Sequence, residues 1–224
     1  MKMTTQRLAK MLDFAVLKPE KTESDIRAAA ALCAQEKIGC LCVRPTDVAL
    51  AVAELKKLGA STKVACVVGF PHGASHTETK ALEAMIALEE DGASEIDMVM
   101  NVGLFRSRRY AAVRLDIDRV AQLTHELGGK LKVILETCLL TPAQIRKACA
   151  LCVEAGADFV KTSTGFNGPG ATPEAVGIML EAVKGTGVQV KASGGIRDRA
   201  AAEAYAKMGV TRLGVSGAKE ILAR

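Results

Sequence analysis

Aromatic residues make up only 3% of this 224-residue chain, and tryptophan is absent. Stacking platforms for single-stranded nucleic acid need aromatic faces, so that class of partner is not expected. No stretch approaches the roughly 18 consecutive apolar residues of a membrane-spanning helix. Met1–Lys10 is polar and lacks the apolar centre of a secretion signal. Charge of one sign is scarce too: 30 Lys and Arg against 25 Asp and Glu leave a net +5. That balance suits a small anionic substrate without demanding nucleic acid or a membrane surface. The seven cysteines (Cys33, Cys40, Cys42, Cys66, Cys138, Cys149 and Cys152) are odd in number and sit in apolar segments. They predict buried thiols in a reducing, cytoplasmic setting, not a disulfide framework. Cys149 and Cys152 form a C-x-x-C without a second half, in the helical run QIRKACALCVEAG, where both share one face. They are expected in the core.

What is present is alternation. Eight short β-rich runs are expected at Phe14–Leu17, Cys40–Val43, Lys63–Gly69, Glu95–Asn101, Lys132–Glu136, Phe159–Ser163, Val188–Ser193 and Arg212–Val215. Helical patterns fill the gaps. Ser75 and Glu78 have capping-box spacing, and Thr141-Pro142 and Thr172-Pro173 place a capping hydroxyl before proline. Gly59, Gly92, Gly128-Gly129, Gly156 and Gly209 end helices. EEDGASEIDMVMN and VEAGADFVKTST both run helix end, Gly-Ala, acid, strand, a shared βα grammar. No linker divides the chain, so residues 1–224 are expected to form one domain. The first strand is followed by Lys18-Pro19-Glu20, not the glycine fingerprint of an open dinucleotide-binding sheet. The expected fold is therefore α/β, a single-domain (β/α)8 TIM barrel.

In such a barrel the active site gathers at the carboxyl ends of the strands. Two apolar strands carry a lysine there, Lys161 in FVKTS and Lys191 in VQVKAS. Strand side chains alternate between faces, so with Val160, Thr162, Val190 and Ala192 toward the helices both lysines point inward on neighbouring strands. Desolvation and a neighbouring cation disfavour the charged form of a lysine. A lysine so depressed can attack a carbonyl and form a Schiff base, an electron sink beside which a carbon–carbon bond breaks or forms. Asp97, between the helix-facing Ile96 and Met98, would join them as the proton-shuttling carboxylate. Thr164-Gly165, Gly194-Gly195 and the segment Gly214, Ser216, Gly217 follow strands six to eight and could cradle a phosphate with backbone N–H groups. His72 and His76 lie near the mouth and His125 on a helix, which makes no three-ligand metal set. Arg106, Arg108 and Arg109 are expected on a solvated face.

The stretches EIDMVMNVG, FVKTSTGF and VKASGGIR together resemble deoxyribose-phosphate aldolase, a class I aldolase family on a TIM barrel, and the likeness runs from about Leu12 to Leu222. The resemblance implies Lys161 as the Schiff-base lysine, Lys191 as the second lysine that perturbs it and relays protons, and Asp97 as the acid/base partner. It also implies that Cys42 lines the pocket. The implied reaction joins acetaldehyde to glyceraldehyde 3-phosphate, or cleaves 2-deoxyribose 5-phosphate, without metal or cofactor. A homodimer is the family-level expectation. Three departures stand out. Asp13 is followed by Phe14 and Ala15 where the family usually has His-Thr. Ser216 is followed by Gly217 where a second serine is common. The chain ends at Leu222-Ala223-Arg224, without the tyrosine tail of some members. Altered efficiency or a relaxed acceptor range is expected from them. The alternatives are another lysine-dependent aldolase or transaldolase with a different aldehyde pair, and a non-catalytic phosphosugar-binding barrel.

Overall fold

The computed structural model describes residues 3–223; the polar start at Met1–Lys2 and the terminal Arg224 lie outside them. Eight parallel strands close into a barrel in chain order: β1 (Leu12–Val16), β2 (Cys40–Val43), β3 (Lys63–Val68), β4 (Glu95–Val99), β5 (Lys130–Ile134), β6 (Phe159–Lys161), β7 (Gln189–Ser193) and β8 (Arg212–Val215). The ring is sealed where β1 pairs with β8, Leu12 opposite Leu213 and Asp13 opposite Gly214. Among the described residues ten α-helices accompany them: α1 (Thr5–Met11), α2 (Glu23–Glu36), α3 (Val48–Lys57), α4 (Thr77–Met85), α5 (Val102–Arg106), α6 (Tyr110–Glu126), α7 (Pro142–Glu154), α8 (Pro173–Ala182), α9 (Arg199–Met208) and α10 (Ala218–Leu222). The expected (β/α)8 barrel is the observed one.

Local signals explain most boundaries. Thr141 caps α7 by accepting the Gln144 N–H, and Thr172 caps α8 by accepting that of Ala175. Gly59, Gly92, Gly128, Gly156 and Gly209 all take the positive φ that a helix stop requires. The Ser75–Glu78 box does not form. His76 is the N-cap of α4, and Glu78 instead reaches Arg119 on α6 at 3.3 Å. Cys149 and Cys152 are fully buried on α7, as expected of core thiols, and all seven cysteines are free.

Alternation along the strands separates two kinds of interior. Leu41, Val43, Ile96, Met98, Val160, Val190, Ala192 and Leu213 face outward into the continuous core under the helices. Each Val, Leu, Ile or Met side chain among them, removed from water, contributes roughly 1.5–3 kcal/mol. Inside the barrel, β2 and β3 supply a small apolar cluster of Cys40, Cys42, Ala65 and Val67. The other strands supply buried charge: Asp13, Glu95, Asp97, Lys132, Lys161 and Lys191. Among the described residues no helix is long and apolar enough to cross a membrane.

Candidate active site

Asp97 is the hub of the barrel interior. Its Oδ2 accepts from Lys161 Nζ and from Lys191 Nζ, both at 2.7 Å, and its Oδ1 accepts from Lys132 Nζ at 2.7 Å. Lys132 also pairs with Glu95 at 2.6 Å, and Lys191 with Asp13. Arg212 closes the lower layer, with Asp13 and Glu95 each 2.6 Å away. Sequence reasoning thus found three members, Asp97, Lys161 and Lys191, which the fold does bring together. It missed Asp13, Glu95, Lys132 and Arg212. Two misses come from strand boundaries. β1 begins at Leu12, not Phe14, so Asp13 is an inward-facing strand residue. β5 runs Lys130–Ile134, not Lys132–Glu136, so Lys132 sits mid-strand between the outward Leu131 and Val133. The available signal was the same one-in-two alternation that exposed Lys161.

The two sequence-predicted lysines do not face each other bare, because the Asp97 carboxylate lies between them. Burial alone would push Asp97 up, but Lys132, Lys161 and Lys191 outweigh it and hold the carboxyl well below its ordinary value. Burial likewise opposes ionisation of Asp13, yet Lys191, Lys132 and Arg212 bring it down to about 2. Glu95 is lowered in the same way, by Lys132 and Arg212 acting against burial. Burial would lower Lys132 and Lys191, but the surrounding carboxylates raise both, and Arg212 is raised likewise. Three carboxylates are therefore matched by Lys132, Lys191 and Arg212, and Lys161 is the cation beyond the match. It is also the least tied. Lys132 and Lys191 each hold two carboxylates within hydrogen-bond distance, and Lys161 holds one.

This network predicts acid lability. Asp13 binds a proton less readily in the barrel, at about 2, than at its ordinary value of 3.8. Its stabilisation, roughly 2 kcal/mol, is complete above about pH 4 and is lost as pH falls through about 2. Asp97 and Glu95 act in the same direction. Urea midpoints should stay level from neutral pH to about 5 and then drop steeply below about 4. A midpoint that holds down to about pH 2 would contradict the pairing.

Around the hub, Cys42 Sγ lies 4.0 Å from Asp97 Oδ2, and burial together with that carboxylate pushes the thiol up to about 11. It sits beside the carboxylate as a neutral thiol. Ala15, opposite Cys42 in the β1–β2 ladder, packs with the interior cluster, while Phe14 turns to the helix side. A methyl group therefore occupies the inward position two residues after Asp13. Toward the mouth, a cleft of about 520 Å³ is lined by Leu17, Val67, Phe70 and Phe166 among others. Phe70 and Phe166 meet edge to face at 5.0 Å across it.

The loops after β6, β7 and β8 carry the other sequence-predicted positions. The N–H groups of Gly165, Gly194, Gly195, Ser216 and Gly217 donate to no protein acceptor among the described residues. Gly165 and Gly194 come together: a Cβ built on Gly194 would lie 3.7 Å from the Gly165 Cα. Thr164 is buried beside them. Gly214 belongs elsewhere. It faces inward within β8, where a Cβ would meet Ser193 at 2.6 Å and Lys191 Cε at 3.3 Å, so a side chain there would crowd both. Asp13, Cys40 and Glu95 bring three metal-capable atoms within 4.8 Å of one another, but both carboxylates already hold cationic side chains. That group is an ion-pair network, not a vacant metal cage.

A closed (β/α)8 barrel with lysines and a carboxylate buried at its centre, beneath loops rich in free N–H groups, defines a barrel enzyme acting on small polar molecules. The chain belongs to the DeoC/LacD aldolase family, which it matches over residues 7–218, and so to enzymes that make and break carbon–carbon bonds. It is 46% identical over 215 residues to the deoxyribose-phosphate aldolase of Thermococcus gammatolerans, covering 96% of this chain and 95% of that one. Its identity to the corresponding protein of Halalkalibacterium halodurans is 45% over 221 residues, covering 97% and 96%. The tetrameric deoxyribose phosphate aldolase structure from Aeropyrum pernix superimposes with a TM-score of 0.91 at 32% identity, covering 98% of this chain and 91% of that one. The resemblance drawn from EIDMVMNVG, FVKTSTGF and VKASGGIR is borne out at the level of the family.

Proposed function

We propose that the protein reversibly cleaves 2-deoxy-D-ribose 5-phosphate to D-glyceraldehyde 3-phosphate and acetaldehyde through a Schiff base on Lys161. The observation that carries this is the placement of Lys161, an inner amine with one carboxylate partner where its two neighbours have two each. As the free amine, Lys161 Nζ adds to the C1 aldehyde, and loss of water leaves an iminium. When the C3 hydroxyl gives up its proton, the C2–C3 electron pair moves into the iminium and glyceraldehyde 3-phosphate departs. The resulting enamine takes a proton at C2, and water releases acetaldehyde and the amine. Asp97, held ionised 2.7 Å away, offsets the iminium charge. A carboxylate held that low is a weak base, so it moves protons in concert with Lys191, its other partner. Gly165, Gly194, Gly195, Ser216 and Gly217 take the phosphate through their N–H groups. The apolar cleft beside Phe70 and Phe166 accommodates the aldehyde carbons.

Borohydride reduction in the presence of acetaldehyde tests the reading. A stable N-ethyl adduct at Lys161 is expected; an unmodified protein would sink it. The second lysine has its own expected result. Lys191→Leu removes the cation that shares the Asp97 carboxylate with Lys161, so the activity optimum should move to more alkaline pH. A residually active variant with an unshifted profile would refute the electrostatic role of Lys191.

The reading treats residues 1–224 as one aldolase domain, which the β1–β8 closure supports by joining residues 12–14 to residues 213–215. It places the protein in the cytoplasm, in keeping with seven free cysteines. It includes assembly as a homodimer; light scattering at the mass of one chain would remove that part.

A further inference from the structure

Glu136 belongs to none of the roles above, yet three hydrogen bonds converge on its carboxylate. It follows β5 with φ 54° and ψ 63°, left-handed values that side-chain-bearing residues seldom adopt. Its side chain is buried, and all of its partners are neutral. The Thr164 backbone N–H donates to Oε1 at 3.1 Å. The Thr164 hydroxyl and the Asn167 side-chain amide both donate to Oε2, the latter at 2.9 Å. Asn167 also donates to the Pro71 carbonyl at 3.4 Å. One carboxylate thus joins the turn after β5 to the loop after β6 and, through Asn167, to the loop after β3.

The arrangement leaves one donor over. Glu136 takes the N–H of Thr164, and the Thr164 hydroxyl oxygen takes the N–H of Phe166 at 3.1 Å. The N–H between them, on Gly165, goes to no protein acceptor among the described residues, and a Cβ at Gly165 would meet nothing within 4 Å. The far end of the same loop is pinned independently, since the Ala171 N–H donates to the carbonyls of Ser193 and Gly194 at 3.0 and 3.1 Å. Only the Thr164–Asn167 stretch therefore depends on Glu136. A backbone in a costly conformation, carrying a buried acid with neutral partners, is an arrangement that simple packing would not select. We propose that Glu136 is a positioning residue for phosphate recognition: its carboxylate captures Thr164 and Asn167 so that the Gly165 N–H, beside Gly194, faces the phosphate of the substrate. This rests on the phosphosugar reading above.

The chemistry demands a carboxylate. Three donors converge on two oxygens, and only an ionised carboxylate accepts at both without offering a hydrogen. Glutamine has the same shape, but whichever way its amide turns, its NH2 group opposes either the Thr164 N–H or the Asn167 amide.

The test uses glycerol 3-phosphate, which carries the phosphate but no carbonyl, titrated by calorimetry into the wild type, Glu136→Gln and Asn167→Ala. Glu136→Gln should weaken its binding about tenfold and raise KM for 2-deoxyribose 5-phosphate similarly, with kcat within about twofold. KM for unphosphorylated 2-deoxyribose should not move. Asn167→Ala, which removes one of the three donors from a half-buried site, should shift the same quantities less far. Equal affinity for glycerol 3-phosphate in the wild type and the folded variants overturns the proposal. So does absence of binding to the wild type, or a KM that rises equally for both sugars. If Glu136→Gln does not fold, Asn167→Ala decides. Failure of acetaldehyde trapping would remove the aldolase reading alone, because glycerol 3-phosphate binding needs no Schiff base.

Discussion

Lys161→Ala should lose turnover by roughly 10⁴-fold or more, because no neighbouring amine can take over the covalent step. Lys132 and Lys191 are the only candidates inside the described barrel, and each is clamped between two carboxylates. The reductive adduct with acetaldehyde should vanish together with activity. Folding should survive, since Asp97 keeps both Lys132 and Lys191 as partners. The loss should therefore appear in kcat and in mass spectrometry, with little change in the thermal midpoint. An adduct that persists on another inner lysine would reassign the nucleophile and, with it, the meaning of the three-lysine arrangement.

Asp97→Asn should carry the second-largest effect, in two measurable parts. The amide is nearly isosteric but neutral, so three buried ammonium groups lose a shared anion. Lys132 retains Glu95 and Lys191 retains Asp13, whereas Lys161 retains no carboxylate. Uncompensated buried charge is strongly destabilising, and a loss of about 3 kcal/mol in urea unfolding is expected. The rate should fall about 10²- to 10⁴-fold, the range for removing a positioned proton-transfer and charge-stabilising group. Binding of glycerol 3-phosphate should hardly change, because the loop N–H groups do not touch Asp97. A variant with kcat within tenfold of the wild type would mean that Asp97 serves the barrel and not the reaction.

How much of this was legible in the chain differs from residue to residue. Lys161 and Lys191 stood out because each interrupts an apolar strand followed by small and glycine residues, and both assignments of facing direction hold. Lys132 and Asp13 have the same inward phase but escaped notice. A charged residue near a strand's start reads as a solvated end, and an inward charge shortens the apolar run by which a strand is recognised. Glu95 and Arg212 open β4 and β8 and were hidden for the same reason. Glu136 gave no signal at all: its importance lies in a left-handed turn and in donors from a loop 28 residues away. Gly214 was read as a loop glycine, whereas it lies within β8, where a side chain would crowd Ser193 and Lys191.

Local chain geometry makes the division intelligible. Which side chains point into the barrel follows from the two-residue period of a strand, a property of every L-polypeptide, and so the sequence alone determined the barrel, its inward Lys161 and Lys191 and its glycine-rich loops. Which carboxylate each lysine meets depends on strand closure and register. Only the pairing of β1 with β8 brings Asp13 to Lys191 across 178 residues and to Arg212 across 199. Charge at such distances along the chain has no local trace. The tertiary structure alone decided that Lys191 and Lys132 are held by two anions each, leaving Lys161 the one inner amine with a single partner.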